Sequence, residues 1–178
     1  MDTLDSSLYL SNDDIYLLGN GNWFRSYEKL GAHPAKAADG TSGYHFAVWA
    51  PHVQSVHVIG DFNDWDEAAS PLTKSETGDV WEGFIPGVVA GQLYKFLLVS
   101  HDGEKLYKAD PYAFFAELPP GTASRTADIS GYAWKDEKWM AERAERPMLK
   151  SPLNIFEVHL GSWKRHGDEP QGEPREDG

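Results

Sequence analysis

Apolar and polar residues change period twice along this chain. Residues 11–19, SNDDIYLLG, open with an N-cap serine and acidic first-turn residues, then turn apolar, which predicts a short helix closed by Gly19 or Gly21. Residues 22–31 continue at helical spacing: Trp23, Phe24, Tyr27 and Leu30 fall on one face, with Gly31 placed to end a second short helix. Residues 31–43 are loop by composition. From Gly43 the period becomes two, and runs at 44–51, 53–62, 79–86, 93–100 and 105–109 alternate apolar with polar and stop at Pro, Gly or Asp. These strands are closely spaced with no helix between them, which predicts an antiparallel β-sandwich with the N-terminal helical segment packed on it.

The pattern then weakens. Residues 113–131 read as extended loop. Residues 134–146 read as a helix with Trp139, Met140 and Arg143 on one face and Pro147 closing it. Residues 153–160, LNIFEVHL, are apolar on both faces apart from Asn154, Glu157 and His159, a pattern that suits a buried, parallel sheet. Such a strand needs neighbours on both sides, and residues 164–178 carry no apolar side chain. The expectation is a chain that has only begun a second domain.

Composition narrows the chemistry. A length of 178 residues with 40% hydrophobic and 13% aromatic residues allows one folded domain plus pieces of another. The formal net charge of -12 argues against nucleic acid and anionic membrane as partners. Cysteine is absent, the N-terminus lacks a signal peptide's basic start and apolar core, and no apolar run approaches a membrane span, so a cytoplasmic protein is expected. His52 and His57 lack a further ligand at metal-binding spacing, and neither metal nor cofactor is expected.

The most suggestive chemistry is the strand-to-turn stretch VHVIGDFNDW at 56–65. Asn and Asp favour a turn there and leave Trp65 on a loop with polar neighbours. A flat ring beside amides and carboxylates suits a sugar, whose faces are C–H and whose rim is hydroxyl. Trp65 is either that platform or a ring packed at a domain interface. Trp49 and Trp81 sit within strands and are expected in the core.

Several motifs then coincide in order and spacing: YEKLGAH at 27–33, FAVWAP at 46–51, VIGDFNDW at 58–65, GQLYKF at 91–96, KADPYA at 108–113 and EVHLGSW at 157–163. Over about residues 15–165 the chain resembles the glycogen (1,4-α-glucan) branching enzymes. The FNDW turn recurs in many starch- and glycogen-binding modules, whereas YEKLGAH with EVHLGSW is far more specific. The resemblance implies an all-β, immunoglobulin-like carbohydrate-binding module of the family 48 type, followed by a linker and the first strand of an incomplete (β/α)8 barrel. It divides the chain into a helical segment at 1–30, the module at 31–115, a linker with a short helix at 116–152 and the barrel start at 153–178. It implies transfer of an α-1,4 glucan chain to an α-1,6 branch by a retaining, two-carboxylate mechanism. In the family those carboxylates lie on later barrel strands, so no catalytic residue is assigned, and Glu157 is read as structural.

Glucan contacts carried over by motif are Trp65 and Lys95, with Asn63 beside them. Tight-binding modules of this class carry a further Trp after the D-G turn, where this chain has DGEK at 102–105. The expected partners are therefore a weakly bound α-glucan and the remainder of the barrel. A stand-alone glycogen-targeting module and another α-amylase-type enzyme, such as a debranching enzyme, are the alternative readings.

Overall fold

A computed structural model of the chain describes residues 8–76, 79–145, 150 and 152–159. The chain divides into two compact units, Met1–Tyr132 and Ala133–Gly178. In the first unit the alternating runs become strands β1 (Gly31–Lys36), β2 (Ser42–Trp49), β3 (Val53–Gly60), β4 (Thr73–Lys74), β5 (Val80–Pro86), β6 (Leu93–Ser100), β7 (Lys105–Lys108), β8 (Phe115–Ala116) and β9 (Ser124–Arg125). They form two sheets with antiparallel pairing, one ordered β1-β2-β5-β4 and the other β3-β6-β9-β8, with β7 also paired to β6. The all-β sandwich expected from the alternation is the observed architecture.

Period two decides what lies between the sheets. Tyr44, Phe46 and Val48 of β2, Val56 and Val58 of β3, Trp81 and Ile85 of β5, and Tyr94 and Phe96 of β6 make one buried cluster. Its rings meet edge-on, with Phe46 and Tyr94 centroids 5.2 Å apart and Tyr94 and Phe96 6.0 Å apart. The Trp81 indole donates to the Ala50 carbonyl at 3.0 Å, so its one polar atom is satisfied inside.

The other face of the first sheet is covered by the N-terminal segment. Helix α1 (Asn12–Gly19) starts at a Ser11–Asp14 capping box, in which the Asp14 amide donates to Ser11 Oγ and the Ser11 amide to Asp14 Oδ2. Lys29 Nζ reaches the same Asp14 carboxylate at 2.6 Å, joining the helix to the chain that follows. Leu30, Ala47 and Val80 form a second buried cluster, against which Leu10, Leu18 and Trp23 pack. Tyr9 stands edge-on to the buried His45 ring, and the Leu10 amide donates to Glu82.

Four expectations need correction. The helix expected over residues 22–31 is only a 3-10 turn, Ser26–Glu28. Trp23 and Leu30 are drawn onto the sheet while Phe24 and Tyr27 face solvent, so the apparent stripe is never buried as a unit. Residues 31–36, read as loop, form edge strand β1; an edge tolerates Pro34, which a central strand would not. The two-residue strands β8 and β9 lie inside the expected loop at 113–131. Trp49 is 55% exposed: at the end of β2 it lies on the outer face with His45 and Ala47, beside a shallow pocket it shares with Ile15, Leu18 and Gly19 of α1.

In the second unit, α2 (Glu137–Glu145) lies within the expected helix, with Arg143 stacked over Trp139 at 5.4 Å and its guanidinium near Met140. Residues 152–159 carry no regular secondary structure, and Leu153, Ile155 and Phe156 are exposed. Leu160 and the GSW part of the last motif lie outside the described residues.

One polar group crosses this apolar interior. The Asp110 carboxylate accepts the Tyr94 hydroxyl at 2.5 Å and the Tyr112 amide at 2.7 Å, while the Asp110 amide donates to Ser124 Oγ at 2.8 Å. Burial pushes the Asp110 carboxyl above its ordinary range, against the opposing pull of Tyr94 and Tyr112. Asp110→Ala strands both donors, and urea denaturation is expected to register a loss of about 3 kcal/mol. Because the folded carboxyl titrates above its unfolded value of 3.8, its contribution is complete below that value and fades as pH rises through the folded one. The stability gap between wild type and Asp110→Ala should therefore narrow as pH rises above 3.8. A gap that widens instead contradicts the assignment.

Candidate functional site

Strand β3 ends at Gly60 because the chain must pass close to β6. A Cβ on Gly60 would stand 2.3 Å from the Leu93 carbonyl oxygen and 2.9 Å from the Phe62 ring. A 3-10 turn over Asp61–Asn63 follows. Asp64 and Trp65 then adopt left-handed backbone at φ 53° and 59°, and Ser70 does so at 48°. For residues other than glycine this conformation is costly and must be held by its surroundings.

Three side chains hold it. Asn63 Oδ1 accepts the Gly60 amide at 2.9 Å, and Asn63 Nδ2 donates to the Val58 carbonyl at 2.9 Å and to Ser70 Oγ at 3.1 Å. The Asp61 carboxylate accepts the Leu93 amide at 2.8 Å and the Trp65 indole N–H at 3.1 Å. Glu67 binds Lys105 Nζ at 2.5 Å and accepts the Tyr107 hydroxyl, tying the far side of the loop to β7. Those hydrogen bonds, Lys105 first, hold the Glu67 carboxyl below its ordinary range. His57 adds a contact from its ring to the Ala69 carbonyl at 3.3 Å.

The result is an indole fixed in direction. Its only N–H is spent on Asp61, and the residue is 36% exposed, so the ring has an apolar surface to offer and no polar atom to point. Lys95 lies on β6 opposite Ile59, two residues beyond the Leu93 amide that Asp61 grips. Its neighbours Tyr94 and Phe96 face the core, so Lys95 projects from the outer face, where Nζ donates to Thr122 Oγ1 at 2.7 Å.

Of the residues singled out in the sequence, Asn63 and Trp65 share one turn, and Lys95 sits at the strand end that this turn grips. Asn63 has its amide engaged by the backbone and shapes the loop. Thr122, in the connection between β8 and β9, joins Lys95 from a segment with no sequence signal beyond its Pro-Pro-Gly neighbourhood. Arg125, opposite Leu93 on β9, stacks over Phe115 at 6.0 Å, and its buried Nε lacks a partner among the described residues. Among those residues no group of three or more His, Asp or Glu could hold a metal, and no helix is long and apolar enough to cross a membrane.

Comparison with known proteins fits this geometry. The profile of the family described as carbohydrate-binding module 48 (isoamylase N-terminal domain) matches residues 29–113. The chain is 52% identical over 165 residues to the 1,4-alpha-glucan branching enzyme GlgB of Butyrivibrio fibrisolvens, covering 93% of this chain and 26% of that enzyme. It is 43% identical over 155 residues to GlgB of Bacillus subtilis (strain 168), covering 87% and 25%. A solved maltotriose complex of PulA from Klebsiella pneumoniae aligns with 63% of this chain and 12% of that one at 26% identity, with a TM-score of 0.46. The chain thus spans about a quarter of the length of the curated relatives it matches.

The bonds around Asn63 make a direct prediction. Asn63→Ala strands the Gly60 amide and releases the left-handed turn, and should lower the thermal midpoint by about 5 °C. Differential scanning calorimetry checks this; an unchanged midpoint means that the turn is held without Asn63.

Proposed function

We propose that this chain, whose residues 29–113 belong to the carbohydrate-binding module 48 family, supplies the N-terminal, glucan-binding part of a cytoplasmic 1,4-alpha-glucan branching enzyme. The observation that carries the proposal is the reach of the similarity. At 52% identity it extends over 93% of the chain, well past the module itself, which favours a branching enzyme over a bare targeting module. In this reading residues 153–160 are the first strand of the catalytic barrel and pair once the rest of that barrel is present. A barrel of this class takes about 250 residues, and the carboxylates that cut and rejoin glucan belong to its later strands.

The site's part is to hold polymer. The C–H face of a glucose unit lies on the Trp65 ring, and Lys95 and Thr122 offer a cation and a hydroxyl to the sugar's oxygen atoms. One stacked ring contributes about 1 kcal/mol and one or two hydrogen bonds about 1 kcal/mol each. The total of roughly 3–4 kcal/mol corresponds to millimolar affinity at best. A site this weak still raises the local concentration of a polymer that can rebind along its length.

Two measurements test the proposal. The 178-residue chain alone should leave the iodine colour of amylose unchanged; a colour shift showing branch formation would place catalysis within these residues. Trp65→Ala should abolish glycogen pull-down while the thermal midpoint stays within about 1 °C of wild type. A large fall in midpoint would instead make Trp65 a packing residue.

A further inference from the structure

We propose that the groove lined by Pro34, Lys36, Tyr44, Val88, Val89 and Asp128 is a second α-glucan subsite, at the same end of the sandwich as the Trp65 platform. The proposal rests on the reading of Trp65 as a glucan contact and extends it to the other sheet. The groove has a volume of ≈ 570 Å³, within the range of about 300–1,000 Å³ typical of small-ligand sites. Pro34, Ala35 and the exposed Val89 give it an apolar floor, underlain by the buried Tyr44 and Val88. Lys36 at the end of β1 and Asp128 in the segment after β9 give it a polar rim.

That rim suits a neutral, hydroxyl-rich ring. A sugar's hydroxyls can donate to Asp128 and accept from Lys36, while its C–H face covers Val89. Asp128 is already oriented: its Oδ1 accepts the Ser130 amide at 2.9 Å and the Ser130 hydroxyl at 2.6 Å, and Oδ2 has no partner among the described residues. One cation and one anion sum to no charge, and the net charge of -12 disfavours an anionic occupant.

Strand register places both sites at one end of the sandwich. Gly43 of β2 faces Pro86 of β5, Gly60 of β3 faces Tyr94 of β6, and Leu93 faces Arg125 of β9. Residues 87–92 cross from one sheet to the other at that end and carry the groove floor. They are braced by Thr126: its hydroxyl donates to the Val89 carbonyl at 2.7 Å and accepts the Gln92 amide at 3.0 Å, and its carbonyl accepts the Gly91 amide at 2.7 Å. The next residue, Leu93, is the one whose amide Asp61 holds alongside Trp65. A path of hydrogen bonds and backbone therefore runs from the groove to the indole.

The test is an NMR titration of the 15N-labelled chain with maltoheptaose, with maltose as the short probe. Maltoheptaose should shift the Lys36, Val89 and Ser130 amides in wild type and in Trp65→Ala protein alike. Val89→Asp puts a charge on a floor residue that is 59% exposed, so the fold should tolerate it. It should erase the groove shifts while Lys95 and Thr122 still move. Wild type should bind maltoheptaose about tenfold more tightly than either variant, and maltose should show no such gain. Shifts confined to Trp65, Lys95 and Thr122 overturn the groove and leave the platform standing. Groove shifts without any near Trp65 support the groove and overturn the platform. No shift anywhere, up to the solubility of the sugar, overturns both.

Discussion

The buried bond between Tyr94 and Asp110 is the constraint on which the rest of this fold depends. Tyr94 is fully buried beside Phe46 and Phe96, and a phenol there needs an acceptor. Asp110 supplies it, and its other oxygen and its own amide hold Tyr112 and Ser124. Burial and the adjacent carboxylate both push the Tyr94 hydroxyl well above its ordinary range, so it remains a donor at any physiological pH. A single residue, through its carboxylate and its amide, thus joins β6, the chain leaving β7, and β9. Tyr112 carries the connection further, since its hydroxyl lies 3.1 Å from Ser26 Oγ in the N-terminal segment. Close packing at Gly31, where a Cβ would stand 3.1 Å from Tyr112, leaves this junction no room to slide.

This junction determines what the end of the sandwich that bears Trp65 can be. Ser124, held by Asp110, is paired with Tyr94, and its neighbour Arg125 is paired with Leu93. Thr122 and Thr126 flank that two-residue strand, so Lys95's partner and the groove's brace are both placed by it. The left-handed turn at Asp64 and Trp65 is likewise kept by bonds that end on β3, β6 and β7. Strain at a loop tip persists only where the scaffold is stiffer than the loop, and here the scaffold is stiffened by one satisfied polar network in an apolar core.

The sequence made some of this legible and hid the rest for physical reasons. Alternation bounded by proline and glycine marks β2, β3, β5, β6 and β7 because each buries one face. Ser11 and Asp14 mark α1 because capping is local chemistry. Strand β1 escapes because GAHPAK has small residues and a proline, which only an edge position accommodates. Strands β8 and β9 are too short for any period to show. The aromatic spacing from Trp23 to Leu30 imitates a helix, yet burial there selects Trp23 and Leu30 alone. Trp49 shows the limit of period two: alternation gives two faces and does not say which one is covered. At the site, the Trp65 turn is visible as a motif. Thr122 and the Asp61 bridge are long-range contacts, and no local pattern encodes them.

The weak glucan site proposed for Trp65 is consistent with a strained, well-braced loop. Tight binding to one oligosaccharide would require many desolvated contacts, and the platform has one ring and a few polar groups. What bracing contributes is direction: the indole keeps its N–H on Asp61, and in the proposed role the loop need not be ordered when glucan arrives, which lowers the entropic cost of each encounter. For a polymer with many equivalent units, low affinity at each contact permits the chain to slide and rebind, whereas a tight site would hold one segment and withhold it from chemistry elsewhere. The same reasoning explains why a second shallow groove at the same end would matter more than a deeper pocket under Trp65. Two weak contacts on a rigid frame set the direction of a bound chain, which one contact of any strength leaves free to swivel.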